Sequence, residues 1–166
     1  MIKKVDPIML AILIITVVII VGVALSFGLS SNSKEGTYSS DNPNRPMLTI
    51  EEKEFDFGKT QLTETKTKDI KIKNVGNEPL VIKDFSTSCD CTFVEVKIDQ
   101  EKSPRFSMHS SFRWRGELKP NQEALLIIGY QPNIMPVHGE VKRIVYFTTN
   151  DPENPKATIE FKAFVE

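Results

Sequence analysis

The chain has 166 residues, 40% hydrophobic and 26% charged, with a formal net charge of −1. It carries +1 over residues 1–47 and −2 from Leu48 to Glu166, with no basic stripe, so nucleic acid is not an expected partner. The stretch from Leu48 onward has the size of one domain and can hold a core without needing disulfides.

In chain order, residues 1–7 form a short N-terminus containing Lys3 and Lys4. Residues 8–29 then run uncharged and almost wholly apolar, the length a helix needs to cross a bilayer. The lysines predict that the N-terminus stays in the cytoplasm and the rest lies outside. The β-branched run Ile14–Val21 has no polar face, which argues against a buried helix of a soluble core. A signal peptide cut near Ala24-Leu25-Ser26 is the alternative and would leave a secreted protein; its apolar core is ordinarily shorter than this one. Residues 30–47, rich in Ser, Asn, Asp and Pro, have almost nothing to bury and read as a flexible linker.

Residues 48–166 are dense in strand signals. Phe55 and Phe57 share a face, and Ile70 and Ile72 alternate with Asp69, Lys71 and Lys73. Turn chemistry at Asn74–Pro79 precedes a new apolar run at Leu80-Val81-Ile82. Val94, Val96 and Ile98 alternate with charged residues, and Ala124–Ile128 is apolar on both faces, as in a central strand. Val141, Val145 and Phe147 lead to Asn150-Asp151-Pro152, and Ala157, Ile159, Phe161, Ala163 and Val165 mark the last strand. Period-two alternation with frequent turns predicts an all-β fold: an antiparallel β-sandwich of about seven strands, preceded by one transmembrane helix. The antibody pattern of two distant cysteines around a core Trp is absent, because Cys89 and Cys91 are near neighbours and Trp114 follows both.

Five stretches in order resemble the bacterial domain-of-unknown-function 1573 family (DUF1573). They are Phe55-Asp56-Phe57-Gly58, Lys73–Ile82, Ser88-Cys89-Asp90-Cys91-Thr92, Lys119-Pro120-Asn121-Gln122 and Thr149–Pro155. The resemblance implies an immunoglobulin-like sandwich, similar to Hydin-type and major-sperm-protein-type domains, in proteins often exported or anchored. It implies no established reaction. Asp90 and Asn121 stand where the family usually has Gly, and both residue types tolerate a left-handed backbone.

Cys89 and Cys91 are the first chemical candidates. On an extended strand their Cα atoms would lie about 6.5–7 Å apart, so a disulfide between them requires a bend at Asp90. Unkinked, they would share the parity of Phe93 and face away from Val94 and Val96. Three readings stay open: a local structural pair, a metal site, or a redox pair. The metal reading adds His109, His138, Met108 and Met135, a thiolate–imidazole–thioether set that suits cuprous copper, or zinc with the histidines. The redox reading lacks the usual C-x-x-C spacing. A second candidate is the loop Phe112-Arg113-Trp114-Arg115, which would either bind a partner or cap the open sandwich end. No hydrolase or phosphate-loop motif is present and the acids sit on outward strand positions, so no enzyme, catalytic residue or resident cofactor is expected.

The function expected is therefore non-enzymatic binding or assembly by a membrane-anchored, extracytoplasmic domain. Its partners would be the lipid bilayer, through residues 8–29, and an envelope protein or cell-wall polymer. The alternatives are a copper or zinc module built on the C-x-C pair, then a thiol–disulfide protein.

Overall fold

The computed structural model describes residues 7–28 and 38–166. Two compact units result, residues 1–34 and residues 35–166.

The first unit contains one helix, α1 (Pro7–Gly28). Proline opens it, where a missing N–H costs nothing. The side chains described along it, Ile8, Met9 and Ile12–Val21, are exposed, and all but Thr16 are apolar. Thr16 turns its hydroxyl back onto the Leu13 carbonyl (2.9 Å). The membrane expectation is met here only in its coarser part. A helix is present, but among the described residues no helix is long and apolar enough to cross a membrane. Residues 1–6 and 29–37, including most of the first half of the expected linker, lie outside the described residues.

The second unit is a two-layer sandwich. Its strands are β1 (Leu48–Ile50), β2 (Glu54–Thr60), β3 (Lys66–Asn74), β4 (Leu80–Thr87), β5 (Thr92–Ile98), β6 (Glu101–Lys102), β7 (Arg115–Leu118), β8 (Glu123–Tyr130), β9 (Gly139–Thr149) and β10 (Lys156–Val165). One sheet has the order β1-β3-β8-β5-β6 and the other β2-β10-β9-β4-β7. Seven of the ten are the strands that the alternation predicts. The other three, β1, β6 and β7, are edge strands of two to four residues, too short to display a period. Short edges also leave little open backbone for unwanted pairing.

One pairing departs from the antiparallel expectation. β2 runs parallel to β10, with Phe55 opposite Phe161. The chain crosses between sheets after β1 and returns along the C-terminal strand in the same direction, a relation that no local pattern encodes.

The alternation buries what it should. In β10, Ala157, Ile159, Phe161, Ala163 and Val165 face the core while the intervening residues point outward. β8 lies between β3 and β5, and its outward Leu125 and Ile127 are half-buried, which explains its two-faced apolarity. Phe85 stacks on Phe147 and Phe106, with ring centroids 5.0 and 5.4 Å away, tying a β4 side chain to both layers. On the outer face of β5, Phe93 lies across Gly129, its register partner, and Arg105 caps the ring at 3.7 Å.

Candidate functional site

The C-x-C turn at one end of the sandwich

β4 ends at Thr87 and β5 begins at Thr92, so Ser88–Cys91 carries the chain from one sheet to the other. The turn is hydrogen-bonded throughout. The Thr92 N–H donates to the Cys89 carbonyl (3.1 Å), and the Thr87 hydroxyl lies 2.8 and 3.1 Å from the carbonyls of Cys89 and Thr92. Ser88 is held to β9 twice: its N–H donates to the Ile144 carbonyl (2.9 Å), and its hydroxyl accepts the Ile144 N–H (3.0 Å). The bend draws the Cα atoms of Cys89 and Cys91 to 5.3 Å, and the two sulfurs form a disulfide.

The kink also replaces the parity that an unkinked strand would have given. Both cysteines join the core cluster of Val94 and Val96, with Cys89 5% and Cys91 0% exposed. The bend is made without a left-handed residue at position 90. Positive φ falls at Asn121 (66°), the other place where the family has Gly, and at Asp84 and Asp99. Asp84 sits where the β4–β9 register shifts, as a bulge residue does.

Arg143 completes the site. It lies on β9 with the inward parity of Val141, Val145 and Phe147, and its Nε donates to Cys91 Sγ at 3.2 Å. Its Nη1 donates to the Lys142 carbonyl (2.8 Å), and among the described residues no carboxylate forms an ion pair with it. Sequence reasoning missed this residue, although an arginine among inward-facing apolar positions was a visible signal. Tyr130 faces Thr92 across the β5–β8 ladder. Its hydroxyl is buried with no hydrogen-bond partner.

The loops around it

Phe106 bridges Val94 with two 2.9 Å hydrogen bonds, so the segment after it passes the start of β5 on one side. On the other side the Gln131 N–H donates to the Cys91 carbonyl (2.7 Å), which starts the segment after β8 beside the same turn. The His/Met loops that the sequence singled out thus leave from either flank of the disulfide. His109 reaches it: Nδ1 is 2.9 Å from Asp90 Oδ2, with the imidazole largely exposed. Met108, Met135 and His138 are exposed. Among the described residues no group of three or more His, Cys, Asp or Glu side chains is placed to hold a metal ion. The disulfide bond leaves neither sulfur as a thiolate ligand.

Phe112, Met108, Ile134, Met135 and Val137 expose apolar surface on these two segments. Trp114 does not. It packs on Phe85 and Phe106, 5.9 Å from each ring centroid, and its ring lies over Gly116. Phe112 makes an edge contact with Phe106 (6.5 Å) but stays 60% exposed. Arg113 is exposed, and Arg115 is 3.7 Å from Glu117.

The opposite end

Arg45, Pro46 and Met47 are built into the sandwich. The Asn77 N–H donates to the Arg45 carbonyl and the Val75 N–H to that of Met47 (3.1 and 2.9 Å). Arg45 pairs with Asp151 (3.2 Å) and Glu153 (2.6 Å). Asp151, 1% exposed, also accepts the N–H groups of Leu48 and Glu153 and the Asn154 amide. Asn150 accepts the Val81 N–H and donates to the Pro79 carbonyl. Asn74 donates to the carbonyls of Glu78 and Leu118 and accepts the N–H of Gly76. The Asn-x-Gly and Asn-Asp-Pro signatures therefore satisfy buried backbone groups at a chain crossing.

Relatives

The family model described as "Protein of unknown function (DUF1573)" matches residues 48–165. An immunoglobulin-like two-sheet sandwich is the class that the fold defines, and the chain belongs to the DUF1573 family. Among solved structures, a protein of unknown function from Porphyromonas gingivalis W83 is similar (TM-score 0.56, 22% identity), with 75% of this chain and 50% of that one covered. The match thus spans about half the length of that protein. The ASH / PapD-like domain of human CEP192 is also similar (TM-score 0.50, 14% identity, 81% and 96% covered). So is part of a family 123 glycoside hydrolase from Clostridium perfringens (TM-score 0.51, 10% identity, 73% and 27% covered). At these identities the likeness is one of fold. No curated protein matches the chain.

Proposed function

We propose that this protein is a membrane-anchored, extracytoplasmic sandwich with a non-enzymatic role in binding or assembly in the cell envelope, and that it meets its partner with the disulfide end. The observation that carries this reading is the paired set of exposed apolar loops, Met108–Phe112 and Ile134–Val137, on either side of the C-x-C turn. Clustered apolar side chains on loops over a rigid scaffold are suited to recognition. A disulfide fits an oxidising compartment outside the cytoplasm. The uncharged apolar exterior of α1 fits a tether better than a helix meant for water.

The chain enters the sandwich at Arg45–Leu48, beside Asn74, whereas the disulfide turn lies by the other end of β3. Across nine residues of β3 that is about 25–30 Å. Anchored through its N-terminus, the domain would present the apolar loops away from its point of attachment.

Photo-crosslinking residues placed at Phe112 and Met135 in living cells test this. Adducts with an envelope protein or wall polymer from these positions, and none from the outward β10 position Thr158, are expected. Equal labelling from all three positions would reject a specific face.

A further inference from the structure

We infer that the Cys89–Cys91 disulfide is a thiol–disulfide exchange centre, opened by attack at Cys89, with Cys91 leaving as a thiolate held by Arg143. This goes beyond the binding reading and does not depend on it. As a structural staple the bond achieves little. It closes a loop of only two residues' separation, so it removes almost no entropy from the unfolded chain. The turn is already held by the Thr87, Ser88 and Thr92 hydrogen bonds, which do not involve sulfur bonding. The local geometry therefore outlasts the loss of the covalent link.

Arg143 gives the chemistry its direction. Arg143 is half-buried, and beside a neutral disulfide sulfur its Nε makes only a weak hydrogen bond. Beside a thiolate the same 3.2 Å contact becomes a charge-assisted bond. No carboxylate among the described residues competes for that charge. Both cysteines are buried, and Cys89, at 5% against 0%, is the less enclosed of the two, which favours it as the sulfur attacked.

The co-reactant is a protein dithiol with an accessible pair of cysteines. One of its thiolates attacks Cys89 Sγ. The Cys89–Cys91 bond breaks, its electron pair stays on Cys91 Sγ, and a mixed disulfide to Cys89 forms. The second thiolate of the dithiol then attacks its own partner sulfur and releases Cys89, which takes up a proton. The dithiol is oxidised by two electrons and this protein is reduced by two.

Dithiothreitol serves as the probe on the full chain in detergent. The wild-type disulfide is expected to open and reclose reversibly at millimolar reductant, with the near-ultraviolet signal of Trp114 retained. Arg143→Gln is expected to slow opening and to disfavour the reduced form by about tenfold each, the size of one charge-assisted hydrogen bond. Arg143→Lys, which keeps a cation, lies between the two. In Cys91→Ala, Cys89 forms a mixed disulfide with oxidised glutathione, whereas in Cys89→Ala the remaining thiol stays shielded. Should Arg143→Gln not fold, the thiolate absorbance of the reduced wild type decides. One thiol ionising well below about 8.5 supports the centre, and both ionising at or above that value overturn it. A disulfide that resists dithiothreitol until the domain unfolds, or that opens equally in wild type and Arg143→Gln, also overturns it.

Discussion

Asp151 and Tyr130 mark the two extremes of buried polarity in this domain. Asp151 is paired with Arg45 and accepts three further hydrogen bonds, so Asp151→Ala leaves the Arg45 guanidinium with Glu153 alone and frees the N–H groups of Leu48 and Glu153. Urea unfolding of a chain beginning at Tyr38 should show a loss of about 3 kcal/mol or more; a loss under about 1 kcal/mol would mean that solvent already reaches the pair. Tyr130 is the reverse case, a hydroxyl desolvated for no bond. Tyr130→Phe should raise the stability of the oxidised domain by about 1 kcal/mol in the same titration. Burial pushes this hydroxyl above its ordinary value near 10, with the Arg143 charge drawing it partly back. The unfolded chain then ionises first as pH rises. The Tyr130 contribution to stability is therefore constant below about pH 10 and is lost as pH rises above it, and Tyr130→Phe should remove that part of the decline.

At the scale of elements, close approach matters more than composition. Gly129 lies beneath the Phe93 ring, and a Cβ there would run into it. Gly129→Ala should therefore cost about 1–3 kcal/mol by chemical unfolding, although both sites are in strand and alanine carries no helix or turn demand. The long strands were legible in the sequence because each spans enough residues to repeat a period of two. β10 with its five inward positions is the clearest case. β1, β6 and β7 were not, and neither was the parallel β2–β10 pairing, since partner direction is settled by the chain crossing and not by either strand. The C-x-C turn was half legible. Its spacing required a bend, but the bend's direction, which swings both sulfurs inward, depends on the Thr87 and Ser88 anchors. Arg143 was readable by parity but blends with the charged Glu140 and Lys142 that precede it on β9.

At the scale of the whole molecule, the sandwich has two unlike ends. One is a polar clasp that fastens the incoming chain through Arg45, Asn74, Asn150 and Asp151. The other is the disulfide turn with its apolar loops. The first end implies that the folded unit begins before Leu48. A chain starting at Leu48 should unfold at lower urea than one starting at Tyr38, by about 3 kcal/mol for the lost Arg45 contacts. The clasp was not legible because Arg45-Pro46-Met47 continues a polar stretch, and its carboxylate partners lie more than a hundred residues away.

We propose that a lipid tether holds this sandwich outside the cytoplasm. External protease applied to intact spheroplasts tests it most directly, with the membranes washed in alkaline carbonate afterwards. Loss of the sandwich, with the α1 fragment retained in the carbonate-washed membranes, is the result predicted. A sandwich protected until the cells are lysed, or a protein released whole by carbonate, would contradict it.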